Sequence, residues 1–363
     1  MRFVLRTTLI SFALLVSIEI HSSSAQVEDA HTFVWADWHL AGISEARADW
    51  NLAIEYYRNV LRESEILPLD VREWYRGTAY YGIARSAARI HNDTLVCRSL
   101  ERAFSHHFWN FDLVASDSSL LSTCGRPWFD SLSHFWSQVL VNERAQWQSQ
   151  PPIVFYPAGY DSTARWPLIV ALHGGNANYQ SFSEHWQNAA NELHAVIAVP
   201  AGVFRESQIT NSWGSDLATI EPSILELVSS FTKQHLADPS QIYVAGFSQG
   251  AQASIELALF RPDVFRGAIA MSGFVDRPIP DSVLQVAHRK GSRIYAITGQ
   301  YEDPTFFHEI DSMHTSCTAA GIPFHWNIVP GMIHEVPLDF ERQIADAWSW
   351  LRPSQKAVGD REE

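Results

Sequence analysis

The rhythm of apolar and polar positions changes once along this chain, near residue 150. Before it, from about Val27 to Arg144, apolar residues recur at the three- and four-residue spacing of a helix face, with almost no strand signal. Ala48, Leu52, Ala53, Tyr56, Tyr57, Val60 and Leu61 predict one helix, which Pro68 stops. Trp74, Tyr75, Ala79, Gly82, Ile83 and Ala87 predict a second over about 71–90, and Asn92-Asp93 caps a third that carries Leu95, Leu100, Ala103 and Phe104. Gln146–Pro152 is polar and proline-containing and reads as a linker.

After the linker, short apolar runs alternate with helical ones. Strands are predicted at Ile153–Tyr156, Leu168–Leu172, Val196–Val199, Ile242–Ala245, Ala268–Met271, Ile294–Thr298 and Trp326–Val329. Helices are predicted at Glu184–Leu193, Leu217–Gln234, Ala251–Phe260 and Asp339–Leu351. Strands so short and continuously apolar, separated by helices, imply an α/β fold: a mainly parallel, doubly wound sheet covered on both faces. Ligands bind such sheets beyond the carboxyl ends of the strands, so the chemistry is sought in the loops that follow them.

Those loops hold a convergent set. The strand Ile242–Ala245 runs into Gly246-Phe247-Ser248-Gln249-Gly250, and a helix follows at once. This is a G-x-S-x-G turn in strand–turn–helix context, which holds a serine hydroxyl at the tip of a sharp bend and aims a helix N-terminus at any negative charge formed there. Upstream, Leu168–Leu172 ends in His173-Gly174-Gly175-Asn176, a loop suited to supplying a second main-chain donor. The expected oxyanion donors are the N–H groups of Gly175 and Gln249, with Asn176 as a substitute for the first. His173 precedes the serine in the chain and is assigned a structural role. A serine hydroxyl needs an imidazole to take its proton. Of the 16 histidines, only His334 follows the last strand, in the glycine-containing loop Pro330–Glu335. Two carboxylates compete for the acid that orients it. Asp303, directly before Pro304, is favoured; Glu302, at the more usual distance from Gly299, is the alternative.

Tyr156–Tyr160, Pro167–Gly175, Gly246–Gly250, Arg261–Phe265 and Gly331–His334 together resemble the carboxylesterase/phospholipase and feruloyl-esterase-like group of α/β-hydrolases. The resemblance covers about 151–351. It implies hydrolysis of a carboxylic ester or thioester through an acyl-enzyme, with Ser248, Asp303 and His334 as the catalytic set and neither a metal nor an organic cofactor. Among the aromatics of the loops (Tyr179, Phe182, Trp213, Phe274, Phe306, Phe307), Trp213 between Ser212 and Gly214 is the expected substrate contact. Prolyl-oligopeptidase domains share such a triad, which leaves a serine peptidase as an alternative, although those carry a β-propeller in front. A partner-binding scaffold with a vestigial hydrolase is the other.

The N-terminal region is similar to a degenerate pair of tetratricopeptide-like hairpins, because Asp49–Ala53 with Tyr56 and Val60 lies over Asp93–Cys97 with Leu100 and Phe104 at an offset of 44 residues. A generic helical bundle explains the same residues; either way the region holds no convergent catalytic set and reads as a packing module or one that binds a protein partner. The organisation read from the sequence is therefore a signal peptide over 1–25, an all-α domain over 27–145, the hydrolase domain over 151–352 and a polar tail over 353–363.

Charge and cysteine content narrow the setting. A formal net charge of −14 argues against a nucleic-acid partner, which needs a basic surface. Arg2 and Arg6 precede an apolar stretch, Leu9–Ile20, followed by the small residues Ser23 and Ala25, the pattern of an export signal cleaved before Gln26. The expected location is thus periplasmic or secreted, with no integral membrane segment left after cleavage. In such a compartment Cys97 and Cys124 form the candidate disulfide, with three buried thiols (Cys317 included) as the alternative.

Overall fold

The computed structural model describes residues 23–352, apart from 109–110, 122, 124–125, 147–149, 207–208, 215 and 235. Residues 1–22, which hold the basic and apolar parts of the expected export signal, lie outside the described residues. So do Cys124, with which a bridge to Cys97 was considered, and the tail 353–363. Cys97 and Cys317 carry free thiols. Among the described residues no helix is long and apolar enough to cross a membrane.

The chain divides into two compact units after Leu132. The first is helical: α1 (Ser23–Ala46), α2 (Trp50–Glu63), α3 (Leu69–Arg89), α4 (Asp93–Ser105) and α5 (Phe111–Ser116); α6 (Pro127–Gln146) runs across the division. α1 to α4 pack each on the next in succession. The two stretches that superpose in sequence fall at the heads of α2 and α4, and Asn92 caps α4 by accepting the Leu95 N–H at 3.1 Å. Gly82 sits where the Tyr57 ring crosses α3, so any side chain there would collide with that ring. At the same crossing, half-buried Glu45 accepts from Ser86 Oγ at 3.0 Å and Tyr57 Oη at 3.2 Å and pairs with Arg85.

The second unit carries the strands β1 (Ile153–Phe155), β2 (Trp166–Leu172), β3 (Val196–Val199), β4 (Phe204–Arg205), β5 (Asn211–Ser212), β6 (Ala237–Phe247), β7 (Gly267–Met271), β8 (Arg293–Gly299) and β9 (Phe324–Val329). Seven of them form a sheet in the order β1-β3-β2-β6-β7-β8-β9, parallel except for β1; β4 and β5 form a separate antiparallel hairpin. The helices between them are α7 (Tyr179–Glu184), α8 (Ala189–Leu193), α9 (Leu217–Lys233), α10 (Gln249–Phe260), α11 (Asp281–Lys290), α12 (Pro304–Ala319) and α13 (Phe340–Leu351).

Successive residues of one strand enter different cores. Leu168, Val170, Val244, Ala268, Ala270, Ile294 and Ala296 face one hydrophobic cluster with α9 to α12. Ile169, Ala171, Tyr243, Ala245, Ile269, Met271, Tyr295 and Ile297 face another with α8 and α13. With both faces covered, alternation disappears from the sequence and each strand reads as one apolar run. The strand order reverses at β2, whose neighbours are β3 and β6, and this places a crevice at its carboxyl end. Leu172 pairs with Gly246 there, and Gly299 pairs with Val329, so the loops after β2, β6, β8 and β9 emerge along one rim.

Every strand expected in this unit is present, and the fold is of the α/β-hydrolase kind. The expected helix Glu184–Leu193 is instead two short ones, α7 and α8, on either side of fully buried Trp186. α11 and α12 were not among the expected helices, and α12 turns out to matter for the site.

Candidate active site

Ser248 sits between β6 and α10 with φ 52° and ψ −118°, a conformation that costs a non-glycine residue free energy. The bend survives because its surroundings over-determine it. The Ser248 N–H donates to Met271 O at 2.9 Å, and its carbonyl accepts from Ala251 and Gln252. Gly246 and Gly250 make the bend sterically feasible: a Cβ at either would fall inside 3.0 Å of main-chain oxygens, of Gly250 in the first case and of Leu172 and His173 in the second.

His334 reaches this hydroxyl from the loop after β9, with Nε2 2.9 Å from Ser248 Oγ. Its Nδ1 is 2.8 Å from Glu302 Oε1. A carboxylate can only accept, so Nδ1 carries the proton and Nε2 is left to accept the Ser248 hydroxyl. The Glu302 side chain is fully shielded from solvent and that of His334 is 13% exposed. The two loops are locked together: Tyr301 N–H donates to Met332 O at 2.9 Å, Gln300 N–H to Val329 O at 3.0 Å, and Gly331 N–H to Gln300 Oε1 at 3.0 Å. Gly299 lets them approach, since a Cβ there would strike the carbonyls of Met332 and Ile333.

The structure brings Glu302, not Asp303, to His334, which corrects the choice between the two carboxylates. Asp303 is the N-cap of α12: its Oδ1 accepts the Thr305 N–H at 2.8 Å, and its own N–H donates to Glu302 Oε1 at 2.9 Å. The Asp-Pro pair that suggested an acid loop is a helix start, with an acceptor at the cap and proline at the first helical position. Both signals were in the sequence, as was the spacing of Glu302 from Gly299. Glu302 takes the position with a side chain one methylene longer.

The loop that carries Gly174 and Gly175 passes beside the serine and the head of α10. A Cβ on Gly174 would be 3.6 Å from Ser248 Cβ, and one on Gly175 would be 3.1 Å from Gln249 Oε1. The Asn176 N–H is committed to Ser212 Oγ at 2.8 Å. An N–H so engaged is not free to meet an oxyanion as the substitute donor.

His173 is fully buried beneath this loop. Its Nε2 accepts the Gly202 N–H at 2.8 Å, so the proton is on Nδ1, which donates to Gly174 O at 2.6 Å. Desolvation lowers its pKa from 6.5 to about 4. Between those values the unfolded chain binds the proton and the folded chain does not, so stability falls as pH drops through this window. The full span corresponds to about 3 kcal/mol. Urea unfolding at pH 7 and pH 4.5 is expected to show a smaller acid loss for His173→Gln than for the parent chain; equal losses would remove His173 as the cause.

Trp213, expected to touch substrate, is instead fully buried. Its indole N–H donates to His173 O at 2.8 Å and the two rings lie 5.1 Å apart. Its small neighbour Gly214 serves close packing, with φ +80° and the Phe204 ring directly against it. Tyr179 and Phe182 are also buried, and Phe307 packs on Trp326. Phe274 and Phe306 remain half-buried and stack at 4.4 Å, with Phe306 5.4 Å and Phe247 5.2 Å from the His334 ring. The segment bearing Phe274 is tied to α10 by Arg277, which donates to Glu256 through Nε and Nη2 at 3.0 Å, and by Gln252 with Asp276 at 3.0 Å.

The "Putative esterase" family model matches residues 145–351, more than half of the chain. Poly(3-hydroxyalkanoate) depolymerase C of Paucimonas lemoignei is 30% identical over 128 residues, 32% of this chain and 30% of that protein. The probable feruloyl esterase C of Aspergillus terreus is 32% identical over 130 residues, 34% of this chain and 46% of that one. The chain thus spans less than half the length of the curated relatives it matches. Among solved structures, an uncharacterized protein from Bacillus cereus ATCC 10987 is similar with a TM-score of 0.46 at 16% identity, over 86% of this chain and 98% of that one. By the family match over residues 145–351, this protein belongs to the esterase family.

Proposed function

We propose that this protein hydrolyses carboxylic esters, thioesters included, through an acyl-enzyme on Ser248, with His334 as general base and Glu302 as the acid that orients it. One observation carries the reading: Ser248 Oγ, His334 and the buried Glu302 carboxylate form an unbroken chain of contacts at 2.9 and 2.8 Å. His334 Nε2 takes the serine proton as Oγ attacks the ester carbonyl carbon. The resulting oxyanion meets the N–H groups of Gly175 and Gln249. The imidazolium, stabilised by Glu302, then protonates the departing alcohol or thiol. Water, deprotonated by the same nitrogen, attacks the acyl-enzyme; collapse releases the carboxylic acid and restores Ser248. Membership of the esterase family supports the ester as substrate, as do relatives named poly(3-hydroxyalkanoate) depolymerase and feruloyl esterase. Phe274 and Phe306 supply an apolar wall for its acyl or alcohol part.

A fluorophosphonate probe tests the reading. The folded parent chain is expected to take up one equivalent, mapped by peptide sequencing to Ser248, and Ser248→Ala none. Folded protein that stays unlabelled defeats the proposal. Export belongs to the same reading and rests on the order of basic, apolar and small residues in 1–25. Protein recovered outside the cytoplasm is expected to begin at Gln26; an intact Met1 start there counts against it.

A further inference from the structure

The two amides assigned to the oxyanion come from different parts of the fold, one from the loop after β2 and one from the head of α10. The side chain of Gln249 bridges the Gly175 loop and the Trp213 main chain. Its Oε1 accepts the Trp213 N–H at 2.7 Å. Gly175 lies directly against it, so that a Cβ there would be 3.1 Å from Oε1 and 3.3 Å from Cδ. Trp213 is an immobile anchor: it is fully buried and its indole holds His173 O. The rest of the 202–213 segment is tied to the same loop, through Gly202 N–H to His173 Nε2, Asn176 N–H to Ser212 Oγ, and paired main-chain bonds between Ala177 and Asn211.

We infer that the Gln249 side chain is a positioning residue of the oxyanion site, braced by Trp213, which sets the distance between the Gly175 and Gln249 donors. The inference rests on the ester-hydrolase reading above. Preorganised donors act only when they stand where the oxygen will be, and misplacement by about 1 Å can cost about 100-fold in rate. A Cβ at Gly175 would press on the Gln249 carboxamide and displace it by a few tenths of an ångström.

Two variants test this without deleting either main-chain donor. Gln249→Met keeps the bulk but removes the acceptor for Trp213. Gly175→Ala keeps the acceptor but presses a methyl group against it, at a residue outside the positive-φ glycines. Each is expected to lower kcat for p-nitrophenyl acetate about 10- to 100-fold while KM changes less than about 3-fold. Affinity for a trifluoromethyl ketone transition-state analogue should fall by the same factor as kcat/KM. Should Gln249→Met fail to fold, Gly175→Ala decides alone. Folded variants with parental kcat, or a kcat loss with unchanged analogue affinity, overturn the inference. A parent chain that fluorophosphonate labels at Ser248 keeps the underlying reading intact in either event, whereas an unlabelled parent defeats that reading itself.

Discussion

A His334→Ala chain is expected to turn over a p-nitrophenyl ester about 10⁶-fold more slowly than its parent, and Ser248→Ala by about the same factor. The reason lies in the 2.9 Å contact between Oγ and Nε2. Without the imidazole the hydroxyl stays protonated at neutral pH and the leaving group finds no proton donor; without the hydroxyl the imidazole has nothing to activate. Because the two act as one unit, the double variant should be no slower than either single one. About 10³- to 10⁴-fold catalysis over water should survive, from the Gly175 and Gln249 amides and from binding. Steady-state kinetics on the three variants provides the check. Losses that multiply, or a single loss below about 100-fold, would mean that the residues work apart.

Glu302→Gln is expected to cost about 10⁴-fold in kcat, whereas Asp303→Asn should leave kcat close to the parent value. An amide in place of the carboxylate can present its N–H₂ to Nδ1 and favour the opposite tautomer, which puts the proton on Nε2 and blocks acceptance from Ser248. Asn at 303 still offers an acceptor to the Thr305 N–H and keeps α12 capped. Asp303→Ala extends the contrast: it should lower stability by about 1 kcal/mol through loss of the cap, with catalysis largely preserved. Kinetics paired with urea unfolding separates the two effects. If the Asp303 variants lose the large factor and Glu302→Gln does not, the acid has been assigned to the wrong carboxylate.

Glu302 and Asp303 also show how far the sequence could be read. Gly299 placed a carboxylate in this loop, but two candidates stood side by side. One rule pointed to the residue before proline and another to the residue at the usual distance from glycine. Local pattern could not decide between them, because an aspartate before proline is equally the signature of a helix cap. Where the backbone turns after β8, and which side chain is thereby aimed at His334, follows from contacts with the loop after β9, some 30 residues away.

Trp213 failed for a related reason. Small residues on both sides are compatible with an open loop or with tight packing, and only the neighbours in space distinguish the two. Here the indole is needed under His173, and the loop turns it inward. The helical unit shows the same limit on a larger scale. Its periodicity marked α2, α3 and α4 but not α1, α5 and α6; in α1 the apolar residues are spread around the helix rather than gathered in one stripe.

What the sequence determined by itself is everything that depends on local steric and periodic constraint: the strands as apolar runs, the glycines that permit the bend at Ser248, and a histidine in the loop that closes the series. These are properties of a few consecutive residues, and no distant contact is needed to impose them. Which carboxylate meets the histidine, which amide is already committed, and which aromatic is buried were decided by the tertiary structure alone. Each depends on distances between segments far apart in the chain, and such distances exist only once the sheet has brought its loops to one rim.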